Sequence, residues 1–192
     1  MRSVTAKLAA RWVRATLAKQ AIKQDFFKKL LALGGSFGVV SAYRPRPKHL
    51  NQQKHGELIG ELQRRGYRRV FPLRGIWEGV AEQSVVVPGI HPGDLFEIGW
   101  MFEQDSVIYK SPDDVVGMYN LKEFFVEVAA DTSGNPAFKM APGRQEWSKD
   151  RNWSFTLNFL WGQKIPWNGH SVMTQKTVQE LLRSGQLTVP AV

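Results

Sequence analysis

The chain has 192 residues, with 43% hydrophobic and 11% aromatic side chains, which argues against general disorder and fits one domain with extensions or one domain with a small partner layer. It contains no cysteine, which excludes disulfides, thiolate metal sites and cysteine nucleophiles. The formal net charge of +9 and the lack of an apolar run of about 18–20 residues favour an anionic partner over insertion into a membrane.

The positive charge is concentrated in the N-terminal part of the chain. Residues 1–75 hold 17 Lys and Arg against three acids, whereas residues 76–192 hold 9 Lys and Arg against 14 acids. Such an uneven distribution indicates a basic surface for nucleic acid or another polyanion. A solvated basic surface that only keeps the protein soluble is the alternative interpretation.

Residues 1–35 are predicted to form a basic amphipathic helix that ends at two glycines. The apolar residues of this helix that we expect to contact a partner are Trp12, Ile22, Phe26 and Leu30. This apolar stripe could pack on the rest of the chain, dock on a partner protein, bind nucleic acid through its basic flank or lie on a membrane surface. A mitochondrial presequence also fits the acid-free first 24 residues but is not favoured, and charges within the segment argue against a secretory signal.

Residues 36–111 are predicted to form a compact β-α-β-β-α-β unit. Extended segments are expected at 37–43, 69–77, 84–87 and 106–110, and helices at about 50–65 and 94–102. Gly66 suits the left-handed position after the first helix, and Pro92 suits the first turn of the second. The predicted class is therefore α+β, with a ferredoxin-like arrangement of this unit.

Residues 112–192 are predicted to form a β-rich extension that packs on the 36–111 unit. Strands are expected at 124–130 and 153–161, followed by a short helix that Thr174 caps and Gly185 ends. Alternation in the second strand predicts that Trp153 and Trp161 belong to the core. The remaining tryptophans of this part, Trp147 and Trp167, lie in predicted loops and are freer to act in binding.

Cations cluster on both sides of the first predicted helix of the 36–111 unit. Prolines stiffen the segment before this helix, and a run of arginines follows its last turn. The expected phosphate contacts are Arg44, Arg46, Lys48, Arg64, Arg65, Arg68 and Arg69. The helix dipole accounts for part of the second cluster, but four arginines in six residues exceed what capping requires.

A second constellation comes from the ends of predicted strands. Tyr43, Arg74, Glu78 and His91 are candidates for a cleft that could serve proton transfer or phosphate-ester chemistry. A structural ion pair between Arg74 and Glu78 is the favoured alternative. The four histidines are far apart, and the chain has neither a phosphate-binding glycine loop nor a serine-hydrolase elbow, so the sequence predicts no metal and no cofactor.

Several short motifs resemble those of a small family of uncharacterised bacterial and phage domains. They are Tyr43-Arg44-Pro45, the helix end at Gly66, Leu73-Arg74-Gly75-Ile76-Trp77-Glu78-Gly79 and Val85-Val86-Val87-Pro88-Gly89-Ile90. The resemblance covers about residues 37–111 and implies domain boundaries and an accessory-gene setting, with no established activity. The expected location is the cytoplasm of a bacterial host cell or an association with a virion.

Together these features favour a non-enzymatic, phage- or mobile-element-type accessory protein that binds nucleic acid, or a complex containing it, through the basic half. A structural or assembly protein that docks its N-terminal helix on a partner is the first alternative. An enzyme that uses a cleft at Arg74 and Glu78 is the second.

Overall fold

A computed structural model describes residues 35–77, 80–129 and 163–188 of the chain. These residues form three helices and a seven-stranded antiparallel sheet, which confirms the α+β class. The strands are β1 (Phe37–Ser41), β2 (Phe71–Trp77), β3 (Val80–Pro88), β4 (Ser106–Lys110), β5 (Val116–Asn120), β6 (Phe125–Val128) and β7 (Ile165–Pro166). The helices are α1 (Lys48–Arg64), α2 (Pro92–Met101) and α3 (Gln175–Arg183).

The strand order in the sheet is β2-β3-β1-β4-β5-β6-β7, and every neighbouring pair is antiparallel. The chain order β1-α1-β2-β3-α2-β4 is as predicted, although β3 begins four residues before the expected position. β5, β6 and β7 continue the same sheet beyond β4. Among the described residues β2 and β7 are its outer strands, and each contains a proline, Pro72 in β2 and Pro166 in β7.

The ends of the helices follow from capping chemistry. Gly66 has φ of 94° after α1, and the N–H of Tyr67 donates to the carbonyl of Leu62 at 2.9 Å. At the start of α2, His91 Nδ1 accepts from the N–H of Gly93 at 3.2 Å. Thr174 caps α3 as predicted, because its side chain accepts from the N–H of Thr177.

The helices pack on one face of the sheet around a single large apolar cluster. Leu58 and Leu62 of α1, Leu95, Phe96 and Ile98 of α2 and Val178 of α3 belong to it together with Val40, Val85, Val107, Tyr119 and Val126 of the strands. Gly38 in β1 is needed there, because a Cβ would lie 2.8 Å from Ile90 and Leu95. A smaller apolar cluster of Val116, Met118 and Ala129 forms separately, with Ile108 against it.

Trp167 corrects the expectation of a loop tryptophan that is free for binding. Its side chain is only 6% exposed, and its ring lies 4.7 Å from that of Phe96 and 5.2 Å from that of Tyr119, centroid to centroid. Its indole N–H donates to the carbonyl of Ser171 at 2.6 Å. The ring is buried because the segment that follows β7 turns back over the helix-covered face. Trp147, Trp153 and Trp161 lie outside the described residues.

The left-handed conformation of Glu103, just after α2, leads to a prediction about stability. Glu103 has φ of 55°, and the N–H groups of Glu103 and Gln104 donate to the carbonyls of Trp100 and Gly99 in a Schellman arrangement. Because glycine adopts this conformation without a steric cost, Glu103→Gly is expected to raise the free energy of unfolding by about 0.5–1 kcal/mol. Urea denaturation measures the change. A glycine introduced within a helix, by Gln52→Gly, is expected to lower the free energy of unfolding by about 1 kcal/mol. A loss of stability in both variants would contradict the prediction.

Candidate functional site

The connector between β1 and α1 is held in place by one buried side chain. The amide of Asn51 accepts from the N–H of Arg44 at 3.0 Å and donates to the carbonyls of Arg44 and Arg46 at 2.9 and 3.4 Å. Asn51 is buried, so these bonds are shielded from water and fix the path of the connector. The sequence prediction did not single out Asn51, since an asparagine in a helix gives no local sign of this role.

The start of α1 is electrically positive. Pro47 occupies the N-cap position and makes no side-chain cap, and the first turn contains no acid. The helix therefore presents unsatisfied N–H groups at this end, where the dipole is positive. Arg46 and Lys48 flank the same point, and neither has an acidic partner within the described part of the chain.

Arg44 differs from its neighbours because it already has an acidic partner. Its guanidinium lies 3.0 Å from Asp105 Oδ1, and Lys122 Nζ lies 2.5 Å from the same oxygen. The hydrogen bond from Lys122 is the largest cause that lowers the pKa of Asp105; burial opposes it, and the hydrogen bond from Arg44 adds to the lowering. Through these two ion pairs, Asp105 links the segment before α1 to the turn between β5 and β6.

Arg65, at the end of α1, is also held by acids. Its Nε donates to Glu61 at 2.7 Å, and its Nη1 donates to Asp94 and Glu97 of α2, each at 2.7 Å. Tyr67 donates to the other Asp94 oxygen at 2.5 Å, and this bond is the largest cause that lowers the pKa of Asp94. Arg65 therefore links α1 to the first turn of α2, which explains part of the arginine cluster structurally.

The other arginines after α1 remain accessible. Arg64 contacts Glu61 but is 74% exposed, and Arg68 and Arg69 are exposed without an acidic partner among the described residues. α1 has 17 residues, so its ends are about 24 Å apart at about 1.5 Å per residue. Residues 44–69 as a whole hold eight Lys and Arg against two acids. The helix thus carries accessible positive charge at both ends.

A shallow hollow lies beside the start of α1. Its volume is about 80 Å³, and it is lined by Ala42, Arg46, Lys54, Met101, Phe102 and Glu103. Pockets that enclose drug-sized ligands are commonly about 300–1,000 Å³, so this hollow suits a surface contact better than an enclosed substrate. In the described ranges, no group of three His, Asp or Glu side chains could hold a metal ion.

The structure separates two members of the predicted cleft. Tyr43 follows β1, and its hydroxyl donates to Gln83 Oε1 at 2.9 Å, while Arg74 pairs with Gln83 in the sheet. His91 follows β3 at the opposite end of the sheet, since Phe37 pairs with Pro88 and Ser41 with Ser84. The imidazole of His91 acts there as the cap of α2.

The remaining predicted contacts are outside what the structure describes. Glu78 and the side chain of Arg74 fall in this category, so the proposed ion pair between them stays a prediction. The apolar stripe of Trp12, Ile22, Phe26 and Leu30 also falls outside the described residues.

Within the described residues, no helix is long and apolar enough to cross a membrane. No protein-family model matches the chain, and no curated protein matches it either.

Proposed function

We propose that this chain is a non-enzymatic accessory protein that binds nucleic acid, or a complex containing it, through the cations at the two ends of α1. The observation that carries the proposal is the group of cations without an acidic partner in the described part of the chain: Arg46 and Lys48 at the start of α1, and Arg68 and Arg69 after its end. Arg64 adds a largely exposed fifth charge. We assign Arg44 and Arg65 to structural ion pairs in this scheme.

Unpaired cations at both ends of one helix favour contact with an extended chain of phosphates. Double-stranded DNA carries one charge per about 1.7 Å of axis, so groups about 24 Å apart could contact phosphates several nucleotides apart. Such contacts fix the position of the protein but read no base sequence. The expected binding is therefore weakly selective and strongly dependent on salt.

We also infer that β1 to β4 with α1 and α2 form a ferredoxin-like unit. The order β2-β3-β1-β4, the antiparallel neighbours and the shared apolar cluster of α1 and α2 support this assignment. A phage or mobile-element setting, with a cytoplasmic or virion-associated location, is part of the proposal and is supported by the sequence motifs alone.

Neutralising the arginines after α1 tests the proposed phosphate contacts. The double variant Arg68→Gln/Arg69→Gln is expected to reduce the slope of log K against log salt by about 2, since each phosphate contact releases about 0.9 counterion. Fluorescence anisotropy of labelled DNA and RNA between about 50 and 200 mM salt measures this slope. The affinity at low salt should fall as well, with no change in the thermal midpoint.

A matched control separates local contacts from net charge. Lys176→Gln/Arg183→Gln removes the same two charges from exposed positions on α3. The proposal expects a clearly smaller change in slope for this control. Equal effects of the two double variants would mean that binding depends on net charge and not on the cations beside α1. Absence of binding by the unaltered protein at low salt would overturn the proposed function.

A further inference from the structure

Two partly exposed aromatic side chains lie beside a buried one. Trp100 at the end of α2 is 39% exposed, and Phe124 in the turn between β5 and β6 is 48% exposed. Their rings lie 6.5 and 6.1 Å from that of Trp167, with interplanar angles of 19° and 29°. The two exposed rings are thus nearly parallel to a third ring that is fixed in the core.

Hydrogen bonds fix the ring of Trp100 and the backbone of Phe124. The indole N–H of Trp100 donates to the carbonyl of Leu121 at 3.1 Å. The carbonyl of Phe124 accepts from the N–H of Trp167 at 2.8 Å. A ring held as that of Trp100 is loses little further freedom when a flat ligand stacks on it, which favours binding.

The backbone at Phe124 points to a role beyond folding. Phe124 has φ of 54°, a left-handed conformation that glycine and asparagine adopt readily and that is unusual for a bulky side chain. The turn would therefore form with less strain if another residue stood at this position. An exposed phenyl ring at a strained position is the kind of outlier that occurs at binding sites.

A shared acid and a shared hollow link these rings to the start of α1. Lys122, in the same turn as Phe124, shares Asp105 with Arg44 of the connector. Met101, next to Trp100 in the chain, lines the shallow hollow together with Arg46 and Lys54. A chain of phosphates that passes the start of α1 would therefore bring its bases towards Trp100 and Phe124.

We propose that Trp100 and Phe124 form a stacking platform for the unpaired bases of single-stranded nucleic acid. The inference rests on the proposed function and names the class of nucleic acid. Aromatic rings beside a basic surface bind single strands with little sequence preference, because every base has a flat face. A protein partner is less suited, since a stable interface buries about 800 Å² on each side and two half-exposed rings supply only a small part of it.

The test compares a labelled dT strand of about 20 nucleotides with a duplex of the same length, at low salt. Phe124→Gly and Trp100→Ala are each expected to weaken strand binding about tenfold, the effect of losing one stacked base. Duplex affinity and the salt slope should stay unchanged, because the phosphate contacts are retained. Phe124→Tyr keeps the ring and should bind the strand as the unaltered protein does.

The outcomes separate this inference from the proposed function. The unaltered protein could bind strand and duplex in a salt-dependent way while the aromatic variants bind both as well, or bind both equally less. That result would overturn the stacking platform and leave the proposed function standing. Failure of the unaltered protein to bind either ligand would overturn both. Phe124→Asn, which also suits the left-handed turn, repeats the test should the thermal midpoint of Phe124→Gly fall.

Discussion

Replacing Trp167 with alanine is expected to lower the free energy of unfolding by about 3–5 kcal/mol, the range for truncating a buried aromatic side chain. Four rings surround its indole, those of Phe96, Trp100, Tyr119 and Phe124. The change would leave a cavity between α2, β5 and the segment after β7, and it would leave the carbonyl of Ser171 without its indole donor. Urea denaturation followed by far-UV circular dichroism measures the loss.

A smaller substitution serves as the control for Trp167. Trp167→Phe keeps an aromatic ring in the cluster and is expected to cost clearly less than Trp167→Ala, about 1–2 kcal/mol. A loss below about 1 kcal/mol for Trp167→Ala would contradict the placement of this side chain in the core.

The second large effect is expected at Arg65, whose replacement by methionine should lower the free energy of unfolding by about 2–4 kcal/mol. The Arg65 side chain is 21% exposed, and its partner Glu61 is only 3% exposed. Methionine keeps much of the volume but leaves the carboxylate of Glu61 buried with less compensation, and it removes both bonds to α2. Equilibrium urea denaturation at neutral pH measures the cost.

Arg64 provides the matched control, because it contacts the same carboxylate from a side chain that is 74% exposed. Arg64→Met is expected to cost less than about 1 kcal/mol, as exposed ion pairs do. Equal costs at the two positions would contradict the distinction between them.

The effect of Arg65→Met should also shrink in acid. The pKa of Asp94 is lowered in the folded protein, first by the Tyr67 hydrogen bond and then by Arg65. A lowered pKa stabilises the folded state above the unfolded pKa of about 3.9, and this stability is lost as the pH falls through the folded pKa. The difference between the unaltered protein and Arg65→Met should therefore narrow below about pH 4.

The elements that were predicted from sequence are those that have a local chemical signal. Gly66 ends α1, Pro92 begins α2 and Thr174 caps α3, and each of these roles depends on neighbours within a few residues. β5 was missed because its first four residues are buried, so it lacks the alternation of a half-exposed strand. β5 also contains Gly117, which is uncommon inside a strand and is required here because the ring of Tyr119 occupies the space where a Cβ would lie.

The candidate site could be predicted only in part, because sequence shows where cations occur but not which of them are paired. Arg44 is paired with Asp105 and Arg65 with Asp94, acids that are 61 and 29 residues away. Trp100 and Phe124 lie on different elements, and only the fold brings both beside Trp167. Pairing and stacking of this kind depend on long-range packing, which local patterns do not encode.

The prolines of the two outer strands of the described sheet hinder the addition of a further strand. An open sheet edge offers its N–H and C=O groups to any extended chain and is a common starting point for aggregation. Pro72 in β2 and Pro166 in β7 have no N–H, so a strand added at either edge would meet a gap in its hydrogen-bond ladder. Within the described part of the chain, the sheet is therefore protected at both edges against growth by the addition of further strands.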